Sequence, residues 1–580
     1  MPTNTLYQPI KTDTSARTIE LLSGQEVLDL ISEQDFVKQW DWLYQACPWS
    51  TVFQSSRFVI AWYHTYEKEY LPIMVKDTQD DRLTGLLMLA LPKSLPTKSN
   101  IHNKHPLIMG AGMYDAEYQT WLALPLQSDE FISQAFREVK KRFPKKDILL
   151  RFLPPQVPLD WISKNPHWKQ KIELQAFKRP IMDLQAPDVT QMFRKAEFRN
   201  KLNRLKRLGN FRFEQITELA TLQSILGEIT IQYDFRQGAM FNMNQFRDNP
   251  LKAAFLLEMF KQELLHATVL RADNKIIACI MAVQGGEWVH LAGINVHSPF
   301  YANYSPGFVH FLMLGQWLSQ EGITYFDLTP GGDPYKERMA NRHDKVHELV
   351  ICNNLPYRAK RFLRKSKHNL LTKVGIRPMA FDLSVDKRLY LLKGKIRAFI
   401  QQGLFSSIVR QIKTSFMGSS PRILRIAPLN ETFYDPLEVH QNNLGDLLYF
   451  EQNGGSKTRW EFTEDAMRRF EVGQQAYSWS ENGRLLACVW VGIVKPEQIE
   501  NGLPEGAALL ENLYCHAAGR TKVVNFLNAV AARIAEKESR PMFLVTNRND
   551  PTLDKAMEQD LKVYVSRTEC YYINSQQGAA

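Results

Sequence analysis

The sequence predicts an α/β (α+β) chain of tandem units, each with a mostly antiparallel central sheet flanked by helices. Three observations predict this. At 580 residues the chain is too long for one core, and length alone implies three or four domains. A composition of 44% hydrophobic and 23% charged residues is that of a globular protein and excludes disordered and fibrous classes. Antiparallel apolar runs around polar turns also recur along the chain, each time followed by a helix and a further strand.

Met1–Ala16 is polar, carries Lys11 and Asp13, and has no apolar run. It reads as a disordered tail and cannot serve as the apolar segment of a signal peptide. Residues 17–175 form the first unit. Helices are predicted at Gln34–Gln45 and Ser56–Tyr66, then a hairpin of Leu71–Lys76 and Leu83–Leu91 around the turn Asp77–Arg82. A helix at Phe131–Arg142 leads into a strand at Asp147–Phe152.

Residues 176–352 repeat the plan. Pro180–Leu184 opens a strand, and a basic helix, Met192–Leu208, stops at Gly209, a residue suited to a helix C-terminus. A strand at Phe211–Gln215 is followed by helices near Leu219–Gln232 and Pro250–Leu265. A meander of His266–Ala272, Ile276–Gln284 and Glu287–Val296 turns at Asp273-Asn274 and Gly285-Gly286. A helix from Ser305-Pro306-Gly307 to about Gly322 and a strand, Tyr325–Leu328, complete it. Residues 353–421 read as a basic helical connector. Residues 422–576 form a third α/β unit with strands at Arg422–Ala427, Ala476–Glu481, Leu485–Val494, Ala508–His516 and Met542–Asn547. Helices there fall at Thr521–Glu536 and Pro551–Gln559, and a last strand near Cys570–Ile573.

The six cysteines are scattered without CxxC or CxxH spacing, so no metal site is expected and reduced thiols suit the cytosol. No run reaches the roughly 18–20 apolar residues needed to span a bilayer. The expected location is cytoplasmic, with peripheral attachment to the inner face of the membrane left open. The net charge is +11, and it is uneven. Residues 355–417 hold fifteen Lys/Arg against only Asp382 and Asp386, an excess larger than that of the whole chain. An anionic partner belongs there first: nucleic acid, a membrane surface or a lipid-linked phosphate, with no DNA expected and tRNA only if the function is aminoacyl transfer. Phe362, Leu363, Leu370 and Leu371 recur at helical spacing among the cations, as in an interfacial helix. A solvated connector packed on its neighbours reads equally from the same residues.

Two segments carry chemistry. In Glu287–Leu314 a strand, a short loop and a helix start at Ser305-Pro306-Gly307 follow in order. Pro fits a first helical turn, and the free N–H groups and dipole there suit a diphosphate; an ordinary capped helix is the alternative. Tyr325–Met339 holds a strand, the turn Gly331-Gly332, and then Tyr335, Lys336 and Arg338. Either cation could hold a phosphate or carboxylate, or both could be solvated.

Together with Phe198-Arg199-Asn200-Lys201-Leu202-Asn203-Arg204, the segments Tyr304-Ser305-Pro306-Gly307 and Phe326-Asp327…Gly332-Asp333-Pro334-Tyr335-Lys336 resemble the CelD-like acetyltransferase family of cellulose and exopolysaccharide biosynthesis. That family carries a GNAT-type domain and is related to the FemAB-like aminoacyl transferases. The resemblance covers roughly residues 35–352. It implies tandem GNAT-like units, with 176–352 as the acyltransferase domain and 422–576 a GNAT-like domain that need not be catalytic. It also implies acetyl-CoA as acyl donor, held by Tyr304, Ser305, Pro306 and Gly307, and a polysaccharide or sugar precursor as acceptor. Two departures stand: Arg338-Met339-Ala340 replaces the family's Trp after the Tyr-Lys pair, and its phosphate loop is not intact. No context marks a Schiff-base lysine, so pyridoxal phosphate is not expected.

Acyl transfer needs a group that accepts a proton near neutral pH. His290, on the strand before the cofactor loop, is one candidate, although its apolar neighbours Trp288 and Ala292 fit a core histidine as well. Asp327 and Tyr335 are the other catalytic candidates, and Asp234, Arg236, Lys336 and Arg338 are candidates for substrate binding. Two other functions stay open: a FemAB-like aminoacyl transfer using aminoacyl-tRNA, and a non-catalytic scaffold in an envelope-polymer complex.

Overall fold

A computed structural model describes residues 17–93, 107–352, 355–402, 422–426, 437–452, 457–494, 503–538, 540–546 and 571–572. The expected tail at 1–16, the helix Pro551–Gln559 and the connector beyond residue 402 lie outside the described residues.

The first two units share one sheet. Its strands are β1 (Arg17–Ser23), β2 (Tyr70–Gln79), β3 (Arg82–Pro92), β4 (Ile108–Gly110), β5 (Leu122–Ala123), β6 (Ile148–Leu153), β7 (Ile172–Asp183), β8 (Phe211–Ile216), β9 (Leu265–Ala272), β10 (Lys275–Gly285), β11 (Trp288–His297), β12 (Tyr325–Asp327) and β13 (Arg342–Ile351). They lie in the order β1-β2-β3-β4-β6-β13-β7-β12-β11-β10-β9-β8, with β5 beside β3. Read from either end the arrangement is the same. Three antiparallel pairings lead to one parallel pairing, β4 with β6 on one side and β11 with β12 on the other. The central antiparallel pair β13·β7 joins the two halves. The internal repeat is thus a pseudo-two-fold axis, and β13 closes it by returning after the second half to pair with β6 of the first.

Three elements differ from the sequence expectation for physical reasons. β7 begins at Ile172, eight residues before Pro180, and so runs across the expected boundary at 175/176. Its polar stretch hides the strand pattern because Gln175 and Arg179 are themselves buried. The basic helix is two helices, Pro187–Arg194 and Ala196–Lys206, because Lys195 has an extended ψ of 138°. The helix at Leu219 continues to Phe241, where Asn242 adopts the left-handed conformation that ends it.

That long helix belongs to two cores. Leu222, Ile225 and Ile229 pack into the core beneath the large sheet, while Phe235 packs with Leu447, Phe462 and Phe470 of the third unit. The third unit has its own sheet of β14 (Arg422–Ile426), β15 (His440–Gln441), β16 (Gln475–Glu481), β17 (Arg484–Ile493), β18 (Ala508–Cys515), β19 (Met542–Thr546) and β20 (Tyr571–Tyr572). It repeats the plan once more: β17 and β18 are antiparallel, then β18 and β19 parallel. Its helix Arg459–Glu471 seats on the long helix, where the Trp460 indole donates to the Ala239 carbonyl at 3.1 Å. Phe470 meets the ring of Phe300 at 4.7 Å.

Candidate functional site

The site begins where β11 leaves its neighbour. β11 pairs with β12 only over Trp288–His290 and Tyr325–Asp327. On its other side the register with β10 jumps between Met281↔Ile294 and Val283↔His290, so β11 bulges through Leu291–Gly293. The bulge needs glycine: at Gly293, with φ +150°, a Cβ would lie 2.4 Å from the Met281 carbonyl oxygen. Beyond the bulge, β11 has no strand partner on the β12 side among the described residues.

The strand then leads through Pro299–Tyr304 into the helix Pro306–Gln320. Ser305 sits just before it at φ 55°, in the left-handed region, and Pro306 occupies the first helical position. Ser305 and Gly307 remain half-buried rather than covered. Three cations gather at this helix start. Arg204 lies 5.4 Å from the Tyr304 ring, Lys201 4.6 Å from the Phe308 ring, and Arg338 5.0 Å from the same ring. The three segments singled out in the sequence meet here. A helix start with free N–H groups and three cations is suited to a diphosphate. Arg338 thus stands beside the start of this helix.

A second group lines the open part of β11. The Arg236 guanidinium is 3.1 Å from both ring nitrogens of His297, and a Cβ on Gly307 would be 3.5 Å from His297 Nδ1. Burial and the neighbouring Arg236 push the His297 pKa down to about 3, so the imidazole is neutral at pH 7. The Asn295 amide donates to the Tyr335 hydroxyl at 3.4 Å, and the Tyr335 ring is 5.5 Å from Phe311. Burial, then Asp333, pushes the Tyr335 phenol up to about 12 and keeps it protonated. Sequence reasoning missed His297 and Asn295. The available signal was their place on the same strand as His290, five and seven residues nearer the helix start.

The remaining candidates lie inside. Asp327 is fully buried, and its Oδ2 accepts from Tyr118 at 2.5 Å and lies 2.8 Å from His290 Nδ1. Its Oδ1 accepts from the Thr329 amide at 2.8 Å. Arg179, 3.8 Å from Asp327, also pairs with Asp344. Burial would raise the Asp327 pKa, but the His290 hydrogen bond and the charges of His290 and Arg179 hold it below the ordinary range. Burial and Asp327 push the Tyr118 phenol well above its ordinary value. His290 is 3% exposed and ringed by Phe53, Tyr118 and Trp288. His290 and Asp327 are therefore closed to a substrate in this structure, and their network ties Tyr118 of the first half to β11 and β12 of the second.

Lys336 is also turned inward. The sequence made it a candidate to hold an anionic acceptor after the glycine turn, but Pro334–Met339 is a helix, and burial lowers the lysine's pKa. Its ammonium donates to Thr329 Oγ1 at 2.9 Å and to the Thr329 carbonyl at 3.3 Å, with Asp333 at 3.7 Å. Asp234 accepts from the amides of Phe246 and Arg247 at 3.0 and 2.8 Å, so it anchors a chain turn instead of lining an acceptor site. Of the expected substrate-binding residues, only Arg236 faces the open strand. No group of three or more His, Cys, Asp or Glu among the described residues is arranged to hold a metal ion.

No curated protein matches the chain's sequence. Among solved structures it is similar to a conserved protein of unknown function from Bacteroides thetaiotaomicron, at 10% identity and a TM-score of 0.37, over 55% of this chain and 97% of that one. It is also similar to FemX, at 9% identity and a TM-score of 0.39, over 56% and 98%. A tandem GNAT protein from the clavulanic acid biosynthesis pathway overlays at 10% identity and a TM-score of 0.34, over 57% and 98%. At these TM-scores the likeness is loose. Residues 192–337, which span both chemistry-bearing segments and end at the helix holding Tyr335, match the family model described as the acetyltransferase (GNAT) domain, so the chain carries an acyltransferase domain of GNAT type.

Proposed function

We propose that the protein transfers an acyl group, acetyl in the simplest case, from coenzyme A to a hydroxyl or amine of a polysaccharide or its precursor. The observation that carries the donor assignment is the meeting of Lys201, Arg204 and Arg338 at the half-open helix start behind Ser305. The diphosphate would sit there. The backbone of β11 beyond His290, free toward β12, would receive the amides of the donor's arm as a strand edge receives a peptide.

The acceptor would enter beside Arg236, His297 and Tyr335. As its nucleophile attacks the thioester carbonyl, the carbon–sulfur bond breaks and the nucleophile's proton ends on the departing thiolate; the neutral His297 imidazole, too weak a base at pH 7 to keep that proton, would serve as a polar contact for the acceptor. The Tyr335 phenol, kept protonated at pH 7, would donate a hydrogen bond to the departing thiolate. Asn295 orients the phenol through its amide. The acceptor class follows from the CelD-like resemblance.

In this reading the third unit is a brace. Its helix Arg459–Glu471 presses on the loop before the donor helix, where Asn303 donates to the Glu471 carbonyl at 2.5 Å. A ligand panel read by thermal unfolding tests the function. Acetyl-CoA at a hundredfold its Kd should stabilise the protein by about 2.7 kcal/mol. Stabilisation by bulk tRNA and not by acetyl-CoA would favour aminoacyl transfer, and stabilisation by neither would leave a scaffold.

A further inference from the structure

The connector helices Leu355–Lys373 and Pro378–Gln402 are mounted inside out. A surface helix normally buries its apolar stripe and turns its charges to water. Here the first helix docks on the large sheet through polar side chains. Arg361 is buried in an ion pair with Glu348, Lys365 donates to the Leu174 carbonyl at 2.8 Å, and the His368 ring meets Phe177 at 5.3 Å. Tyr357 packs on the core of that sheet, but most of the helix's apolar residues point away: Phe362, Leu363, Leu370 and Val374 are 63–67% exposed.

The second helix behaves alike. It seats on the third unit through Lys387, which pairs with Glu464 at 2.6 Å, through Tyr390 against Trp460, and through Gly394, where a Cβ would come within 2.6 Å of Thr458. Val385, Leu389, Leu392 and Ile396, spaced four, three and four residues apart, form one helical stripe and are exposed. Exposed Ile376 and Met379 at the turn join the two stripes. Half of the exposed large hydrophobic side chains among the described residues lie between 362 and 396. Such a patch marks an interaction surface.

Charge selects the occupant. Residues 355–402 contain thirteen Lys/Arg and two Asp. Arg364, Lys373, Arg388, Lys393, Lys395 and Arg397 are exposed, and no ion pair is recorded for them among the described residues. A second copy would set one cationic face against another. A nucleic acid would match the cations but leave the leucines wet. An anionic bilayer satisfies both, because the leucines enter the acyl boundary while the cations meet the headgroups. No helix among the described residues is long and apolar enough to cross a membrane, so the contact would be interfacial. We propose that these two helices seat the protein on an anionic lipid surface, independently of which acyl acceptor it uses.

The test is co-sedimentation of the full chain with vesicles of phosphatidylcholine alone or mixed with phosphatidylglycerol. Binding is expected only with phosphatidylglycerol and should fall as salt rises. The double variant Leu389→Asp/Leu392→Asp should lose at least about tenfold in partitioning, with an unchanged melting temperature because both residues are exposed. Arg388→Glu/Lys393→Glu should weaken binding through the charge alone. No binding to anionic vesicles overturns the proposal, as does equal binding by all variants. A solution dimer split by the leucine variant would overturn it in favour of a second copy. Retention of bulk tRNA without vesicle binding would overturn it in favour of nucleic acid.

Discussion

Replacing Asp327 with Asn keeps the side chain's size and removes one charge from the buried network that joins the two halves of the large sheet. The carboxylate is fully buried and shared by Tyr118, His290 and Arg179, the last only 4% exposed. Removing one member of a buried ion pair typically costs about 3–5 kcal/mol, because the partner charge is left uncompensated. Arg179 keeps Asp344, so about 3 kcal/mol is expected, a large share of the roughly 5–15 kcal/mol that holds a domain folded. The carboxyl's folded pKa lies below its unfolded value. Its contribution is therefore complete above the unfolded pKa of about 3.9, and is lost as pH falls through the folded one. Denaturant unfolding at pH 7 measures the loss, and a cycle with Tyr118→Phe isolates the contact between the halves. A cost under about 1 kcal/mol, or lost turnover with unchanged stability, would refute the network as a structural tie and return Asp327 to the chemistry.

Three further outcomes follow from the geometry. Lys201→Ala and Arg204→Ala should each weaken acetyl-CoA binding about ten- to hundredfold, since a charge-assisted contact is worth roughly 1.5–3 kcal/mol; titration calorimetry reads this, and unchanged affinity would move the diphosphate elsewhere. Lys336→Ala should lower stability by about 1–3 kcal/mol by leaving buried oxygens unpaired, whereas an unchanged unfolding midpoint with a tenfold higher acceptor KM would make it an acceptor contact. His310 is fully buried, and burial, then His266, lowers its pKa to about 3. Its folded pKa is depressed, so stability is full above pH 6.5 and falls as pH drops toward 3; the loss at pH 5 is about 2 kcal/mol. Guanidinium midpoints at pH 7 and pH 5 should therefore converge in His310→Gln, and an equal drop in both proteins would remove His310 as the cause.

What could be read from the sequence was local. The hairpin over Tyr70–Pro92, the meander over Leu265–His297 and the helix behind Ser305 each announce themselves through turn residues and apolar spacing within about thirty residues. Their physics is set by neighbours in the chain. The helix start behind Ser305 was legible for the same reason, since Pro and Gly at a first turn mark it locally.

What could not be read depends on pairs far apart in sequence. Asp327 looked like an active-site acid because the sequence hides its 209-residue separation from Tyr118, whose hydroxyl it accepts. Lys336 looked available to an anionic acceptor because its partner Thr329 occupies a backbone turn with φ 62°, and no spacing rule announces that turn. His297 was overlooked because its weight comes from Arg236, sixty-one residues earlier on a helix whose length spacing also understated. The connector is the inverse case. The leucines among its cations were visible, but which face the fold would bury was not. Polar anchors on two different supports, Glu348 of the large sheet and Glu464 of the third unit, turn the leucines outward. A pattern within one helix sets how amphipathic it is, and only the partners across the fold set which way it faces.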